Sequence, residues 1–229
     1  MVRRPVSVMR MFLVVVLMAC SLLAERAAAD PLALGDNVLN GTTSALRPEL
    51  GGLVLADLLI PYDFLGTGGE HLLGDIQNRV VRSSLDGTFD FYWRIRPDPA
   101  SVGDITALRV GGFDGFALDG DYRLDGLGNV GPGIARNFGG GFVNFIFKER
   151  GVGDGVSPNE SSYFFFLDTQ ATNFSRTGSY DLLCADSGCI SPLSTTFAPT
   201  VPEPSSIILL GAGGLALLAK ARSRRKKNS

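Results

Sequence analysis

The sequence predicts an all-β fold, a β-sandwich or jelly-roll-like ectodomain flanked by an N-terminal signal-peptide helix and a short C-terminal transmembrane helix. Three observations point there. The 229 residues include 29 Gly and 15 Phe against only 4 Met, a balance that suits short strands joined by tight turns. Outside the two ends no segment repeats apolar residues at the 3.6-residue period of a surface helix. Eight or nine runs instead carry strand-like apolar patterning, separated by Gly, Pro, Asn and Asp.

From the N-terminus, Arg3, Arg4 and Arg10 form a positive start, residues 11–24 an apolar stretch, and Ala27-Ala28-Ala29 a small-residue site. That order is a secretory signal peptide, residues 1–29, with cleavage expected after Ala29. The apolar stretch falls short of the roughly 20 residues of a permanent span. Sec-type export is the default, because Arg3-Arg4 lacks the usual twin-arginine context. Two alternatives stay open: an uncleaved anchor, and lipidation at Cys20, since Leu17-Met18-Ala19-Cys20 resembles a lipobox although apolar residues follow it.

Residues 30–198 are the expected extracytoplasmic domain. The clearest strand is residues 89–96, where Phe89, Phe91, Trp93 and Ile95 alternate with Asp90, Tyr92, Arg94 and Arg96; period-2 alternation predicts one buried and one solvated face. Residues 143–147 and 163–167 are apolar at nearly every position, as in strands covered on both sides. Further strands are expected at 53–60, 76–83, 105–110, 121–124, 180–183 and 190–197. Between Asp30 and Val201 the chain carries 11 basic and 21 acidic residues, a net charge of −10. Such a surface repels phosphate backbones and speaks against nucleic acid as a partner.

Chemistry-bearing residues are sparse in this domain. Cys184 and Cys189, separated by four residues, are an even pair outside the cytoplasm and are expected to form a disulfide. His71 is the only histidine and is expected to be a surface or capping residue, because one imidazole cannot build a multi-histidine metal site. Gly126-Leu127-Gly128-Asn129-Val130-Gly131 matches G-x-G-x-x-G, yet Pro132 and Gly133 follow it, so a glycine loop is the expectation. Asp114, Asp119, Asp121 and Asp125 crowd one Gly-rich stretch and could offer oxygen ligands to Ca²⁺, although their spacing fits no EF-hand loop. Asp119 and Asp121 are also the pair a secreted hydrolase would need. Tyr92, Trp93, Tyr122 and Tyr163 are the aromatics available to a carbohydrate-binding module. The expectation from these residues is no catalytic residue, no metal and no cofactor.

The C-terminal segment, residues 199–229, is the most informative. Pro202-Glu203-Pro204 precedes an uncharged run from Ser205 to Ala219, and Lys220, Arg222, Arg224, Arg225, Lys226 and Lys227 follow. The two prolines fix φ and remove donors, so a helix can begin only after Pro204, with Ser205 as its N-cap. At about 1.5 Å per residue the run reaches about 22 Å against a hydrocarbon core of roughly 30 Å. Its seven Leu and Ile favour insertion by only a few kcal/mol in total, at about 0.5 kcal/mol each. The basic cluster would act as a stop-transfer signal on the cytoplasmic side.

This order of proline-bracketed glutamate, Gly-containing apolar helix and basic end closely resembles the PEP-CTERM sorting domain, over residues 201–227. The resemblance implies recognition of Pro202-Glu203-Pro204 by exosortase, a membrane-embedded protease-transpeptidase. It further implies an inner-membrane single-pass intermediate, then delivery to the cell surface or an exopolysaccharide matrix of the biofilm or floc type. A plain single-span anchor is the alternative for the tail. For the domain, two roles remain expected: a non-enzymatic structural or interaction protein of that matrix, and a secreted carbohydrate-binding module on a membrane anchor.

Overall fold

The computed structural model describes residues 31–149, 153–184 and 189–200. The expected signal peptide with Ala29, the sorting motif Pro202, Glu203 and Pro204, the short transmembrane helix and the basic residues Arg222, Arg224, Arg225, Lys226 and Lys227 all lie outside these residues. Among the described residues no helix is long and apolar enough to cross a membrane.

Among the described residues twelve strands form two antiparallel sheets. In chain order they are β1 (Gly35–Val38), β2 (Gly52–Leu65), β3 (His71–Ser83), β4 (Phe89–Pro97), β5 (Ile105–Gly111) and β6 (Asp119–Tyr122). Then follow β7 (Ile134–Gly139), β8 (Phe142–Ile146), β9 (Phe165–Asp168), β10 (Phe174–Cys184), β11 (Cys189–Ile190) and β12 (Ser194–Pro199). The five-stranded sheet runs β2-β3-β4-β9-β6; the seven-stranded sheet runs β1-β7-β8-β5-β10-β11, with β12 also paired to β10. The helical content of the described chain is one 3-10 turn, Pro48–Leu50, opened by its proline.

The hairpin β2–β3 is the longest pairing, with Leu65 opposite His71 and Gly52 opposite Ser83. Gly69 takes φ +101° at its tip, a conformation that favours glycine, and the Glu70 carboxylate accepts the Gly68 amide at 2.8 Å. Strand β2 is the rim of its sheet and leaves Leu53, Val54, Leu55, Leu59 and Leu65 exposed.

The two sheets share one core. Phe91, Trp93 and Phe165 of the smaller sheet are packed with Leu108, Val110, Phe145 and Leu182 of the larger. The Trp93 ring lies 6.2 Å from both Phe145 and Phe165, and Phe145 and Phe165 are 4.8 Å apart. Each such ring removed from water stabilises by about 1.5–3 kcal/mol, and the tilted and stacked contacts add to that. A buried polar chain also crosses between the sheets. Trp93 Nε1–H donates to Thr196 Oγ1 at 2.8 Å, and the Thr196 hydroxyl donates to Asn78 Oδ1 at 2.7 Å. The indole N–H thereby has the partner that burial requires.

Strand β4 departs from the expected half-solvated pattern. Asp90 is 1% exposed and Tyr92 3%, because residues 43–51 fold over the outer face of the smaller sheet. Leu50 joins Val81, Tyr92, Phe164 and Phe166 in a second apolar cluster there, and the Tyr92 hydroxyl donates to the Leu50 carbonyl at 3.3 Å. Strands β1 and β7 add to the expected set. Strand β6 begins at Asp119, two residues before the expected start, and β10 begins at Phe174, six before.

Candidate functional site

Cys184 and Cys189 face each other in the β10–β11 register. Their sulfurs are within bonding distance and their Cα atoms are 5.1 Å apart, inside the range a disulfide requires. This is the pair expected from the sequence.

The densest group of ionisable side chains follows from strand register. Asp90 of β4 lies opposite Asp168 of β9, and Asp168 lies opposite Asp119 of β6. Three carboxyl groups therefore stand in one row across adjacent strands, where like charges repel. Arg47, carried over them by the 43–51 segment, supplies the counter-charge. Its Nη2 is 2.8 Å from Asp119 and 3.0 Å from Asp168, and its Nε is 2.7 Å from Glu49. The guanidinium also sits 5.4 Å over the Phe166 ring.

The electrostatics of this row are set by enclosure. Burial, and then the facing Asp168 charge, push the Asp90 carboxyl up to about 9. Neither Asp90 oxygen meets a donor, and the facing carboxylate can only accept, so Asp90 holds its proton at neutral pH. Burial raises Asp119 to about 6, against the pull of Arg47, and raises Asp168 in the same way. Burial opposes the charge of Arg47 itself. Its hydrogen bond to Glu49, with the charges of Asp119, Glu49 and Asp168, outweighs that and holds its pKa above the ordinary value.

The other acidic candidates hold the covering segment in place. Asp121 accepts the backbone amides of Gly41 and Tyr122 at 2.9 Å each. Asp125 accepts the Ser44 amide at 2.8 Å and hydroxyl at 2.7 Å, and is gripped by Arg123 at 2.7 and 3.0 Å. Arg123 holds the Asp125 carboxyl well below the usual range. Asp119, Asp121 and Asp125 are thus engaged by protein donors, and Asp114 does not join them. Among the described residues no three His, Cys, Asp or Glu side chains converge as a metal ligand set.

His71 pairs with Asp63 through Nε2 at 2.8 Å, both side chains largely in water, across the end of the β2–β3 hairpin. The glycine loop 126–131 leads into strand β7. A Cβ at Gly128 would lie 2.1 Å from the Ser162 carbonyl oxygen and one at Gly131 2.5 Å from the Tyr122 ring, so these glycines serve close packing. Of the four aromatics singled out from the sequence, Tyr92 and Trp93 are buried; Tyr122 and Tyr163 stack on each other with ring centroids 5.7 Å apart.

A groove that sequence reasoning missed lies on the larger sheet, on the face away from the core. Its volume is about 400 Å³, and its lining includes Arg109, Phe138, Phe142, Ser179, Asp181 and Leu193. Phe138 and Phe142 belong to β7 and β8, Arg109 to β5, and Ser179 and Asp181 to β10, so the site depends on strand pairing between distant segments. No pattern in the sequence signals it, because Phe138 and Phe142 read like any other apolar strand residues until their exposure is known.

These features define a class: among the described residues, an all-β protein of two antiparallel sheets with a disulfide closing the β10–β11 hairpin. Comparison with known families adds the particular element, the PEP-CTERM protein-sorting motif, which matches residues 200–226. Residues 200–226 thus carry a PEP-CTERM sorting motif, and such a motif implies export, membrane-associated sorting toward the cell surface and exosortase as the processing partner. No curated protein and no solved structure matches the chain.

Proposed function

We propose that this chain is a non-enzymatic protein of the cell surface or exopolysaccharide matrix. It leaves the cytoplasm through the Sec machinery and pauses as an inner-membrane single-pass intermediate held by residues 205–219. Exosortase then processes it at Pro202-Glu203-Pro204. The observation that carries this reading is the sorting motif at residues 200–226, which starts directly after the last strand, Ser194–Pro199. The domain delivered is residues 30–198, an acidic β-sandwich with its cysteines closed, suited to an oxidising exterior. Arg222, Arg224, Arg225, Lys226 and Lys227 hold the tail on the cytoplasmic side until processing.

The test is the mass and location of the mature protein in the native host. Wild type is expected at the surface or in the matrix without its basic end. Changing Pro202, Glu203 and Pro204 to alanine is expected to leave unprocessed chain in the membrane fraction. Surface protein that keeps Lys226 and Lys227, or processing unaffected by the triple change, would overturn the proposal. The second reading, a carbohydrate-binding module on a membrane anchor, is favoured by a specific feature, the aromatic groove of the larger sheet.

A further inference from the structure

We infer that the groove between Phe138, Phe142 and the Arg109–Asp181 pair is a binding site for a neutral saccharide. The inference rests on the carbohydrate-binding reading above, for which it names the ligand class, and is independent of how the chain is sorted.

The floor leaves room for an aromatic ring close against the sheet. Gly111 lies beneath Phe142, and a Cβ at that position would come within 2.5 Å of the ring. Glycine there lets the Phe142 ring approach the β5 backbone closely while more than half of the side chain stays in water. Phe142 is nevertheless 55% exposed and its neighbour Phe138 61%, so neither ring is used to build the core. Together with Leu193 they give the groove an apolar rim that a ligand can cover. Ring faces carry negative potential, which suits the C–H face of a sugar ring.

The polar side of the groove narrows the ligand further. Registered pairing aligns Asp36, Arg136, Asn144, Arg109 and Asp181 across five strands. At the groove end of this row, Arg109 Nε donates to Asp181 Oδ1 at 2.8 Å while Nη2 binds Oδ2. This fork uses two of the five N–H groups of the guanidinium and leaves about three, on a side chain 44% exposed, for a ligand, while Asp181 is held mostly buried behind it. Donors and acceptors fixed side by side match neighbouring hydroxyls, which are both. Ser179 adds a third hydroxyl-compatible group.

Charge selects among polar ligands. Arg109 and Asp181 are the charged lining residues and they neutralise each other, while the domain around them carries a net −10 by sequence. An acidic polymer gains no free cation here and meets general repulsion. A plain alkyl chain would leave the Arg109–Asp181 pair desolvated without replacement hydrogen bonds. A volume of about 400 Å³ lies within the usual range for small-molecule sites. The ligand that satisfies rings, paired hydroxyl partners and neutrality is a stretch of uncharged polysaccharide.

The test uses the full chain in phosphatidylcholine nanodiscs, with binding measured to immobilised dextran, mannan and hydroxyethyl cellulose, and to alginate as an acidic polymer. Reversible binding to at least one neutral polymer is expected. Phe142→Ala and Phe138→Ala should each weaken it tenfold or more without changing the thermal midpoint; Gly111→Ala, which lifts the platform, should weaken it less. Because Phe138 is mostly in solvent, its variant stays folded and keeps the test decisive if Phe142→Ala unfolds. Binding to none of the neutral polymers, binding to alginate alone, binding unchanged in both Phe variants, or binding displaced by laurate but not by cellopentaose would each overturn the assignment.

Discussion

Asp90 has a carboxyl group enclosed between strands, with another carboxylate opposite and no donor in reach. Its pKa is pushed up to about 9 from an ordinary value of 3.8, which fixes the direction of a pH effect. Below pH 4 both the folded and unfolded chains keep this proton. Between about pH 4 and 9 the unfolded chain releases it and the folded chain does not, so stability falls as pH rises through that window. Asp119, raised to about 6, adds a fall between about pH 4 and 6. Asp90→Asn removes the titration but keeps the shape. We expect it to raise unfolding free energy at pH 7 by on the order of 2 kcal/mol and to flatten the slope, read by guanidinium denaturation at pH 5, 7 and 9. Wild-type stability that is level or rising over that range would refute the assignment. The alternation at Asp90 and Tyr92 was plain in the sequence, but its meaning was not. Alternation says that two faces differ, and only the segment bearing Arg47, 43 residues earlier in the chain, decides that the polar face is covered.

At the scale of elements, the 43–51 segment acts through a single side chain. Removing Arg47 leaves Asp119 and Asp168 facing each other without a counter-charge, the situation in which breaking a buried pair is costly. Because the Arg47 side chain keeps 17% of its exposure, we expect Arg47→Ala to cost about 2–3 kcal/mol at pH 7. The loss should shrink at pH 5 as the freed carboxylates take up protons, and an equal loss at both values would count against the mechanism. The β10–β11 hairpin gives a second expectation. Closing so short a loop restricts the unfolded chain modestly, so reduction, or replacing both Cys184 and Cys189 by Ser, should lower stability by about 2 kcal/mol in denaturant titrations with and without dithiothreitol. The sequence located strands where apolar and β-branched residues gather, as in β4, β5 and β9. It under-read β1 with Gly-Asp-Asn-Val, β7 with Ile-Ala-Arg-Asn-Phe-Gly, and the Ser-Arg-Thr-Gly-Ser half of β10. These have weak intrinsic strand preference and are held by their neighbours in the sheet, an effect of tertiary context. Residue 61 looked like a strand end for the same local reason, yet β2 continues through it to Leu65.

At the scale of the whole molecule, the shared core was foreseeable and the surface was not. The inward positions of β4 and β9 announce themselves by pattern, whereas Phe138 and Phe142 become one site only when β7, β8, β5 and β10 pair. The address of the chain was readable because Pro202-Glu203-Pro204 and its basic end lie in one short stretch that needs no folding to be recognised. The rim strand β2 has a consequence for how copies of this protein coexist when crowded. A fourteen-residue edge strand with five large apolar side chains exposed invites a neighbour's strand to add and continue into a fibre. Pro61 sits within it, opposite Asp75; a sheet tolerates proline where its nitrogen, which has no hydrogen, faces away from the ladder, and there it offers an incoming strand no donor. Pro61→Val restores that hydrogen. It is expected to lower the concentration at which thioflavin-positive fibres form while leaving the melting temperature nearly unchanged; an unaltered fibre threshold would contradict it. The rim strand thus carries, beside its carboxylates Asp57 and Asp63, one backbone position that gives an incoming strand nothing to bond.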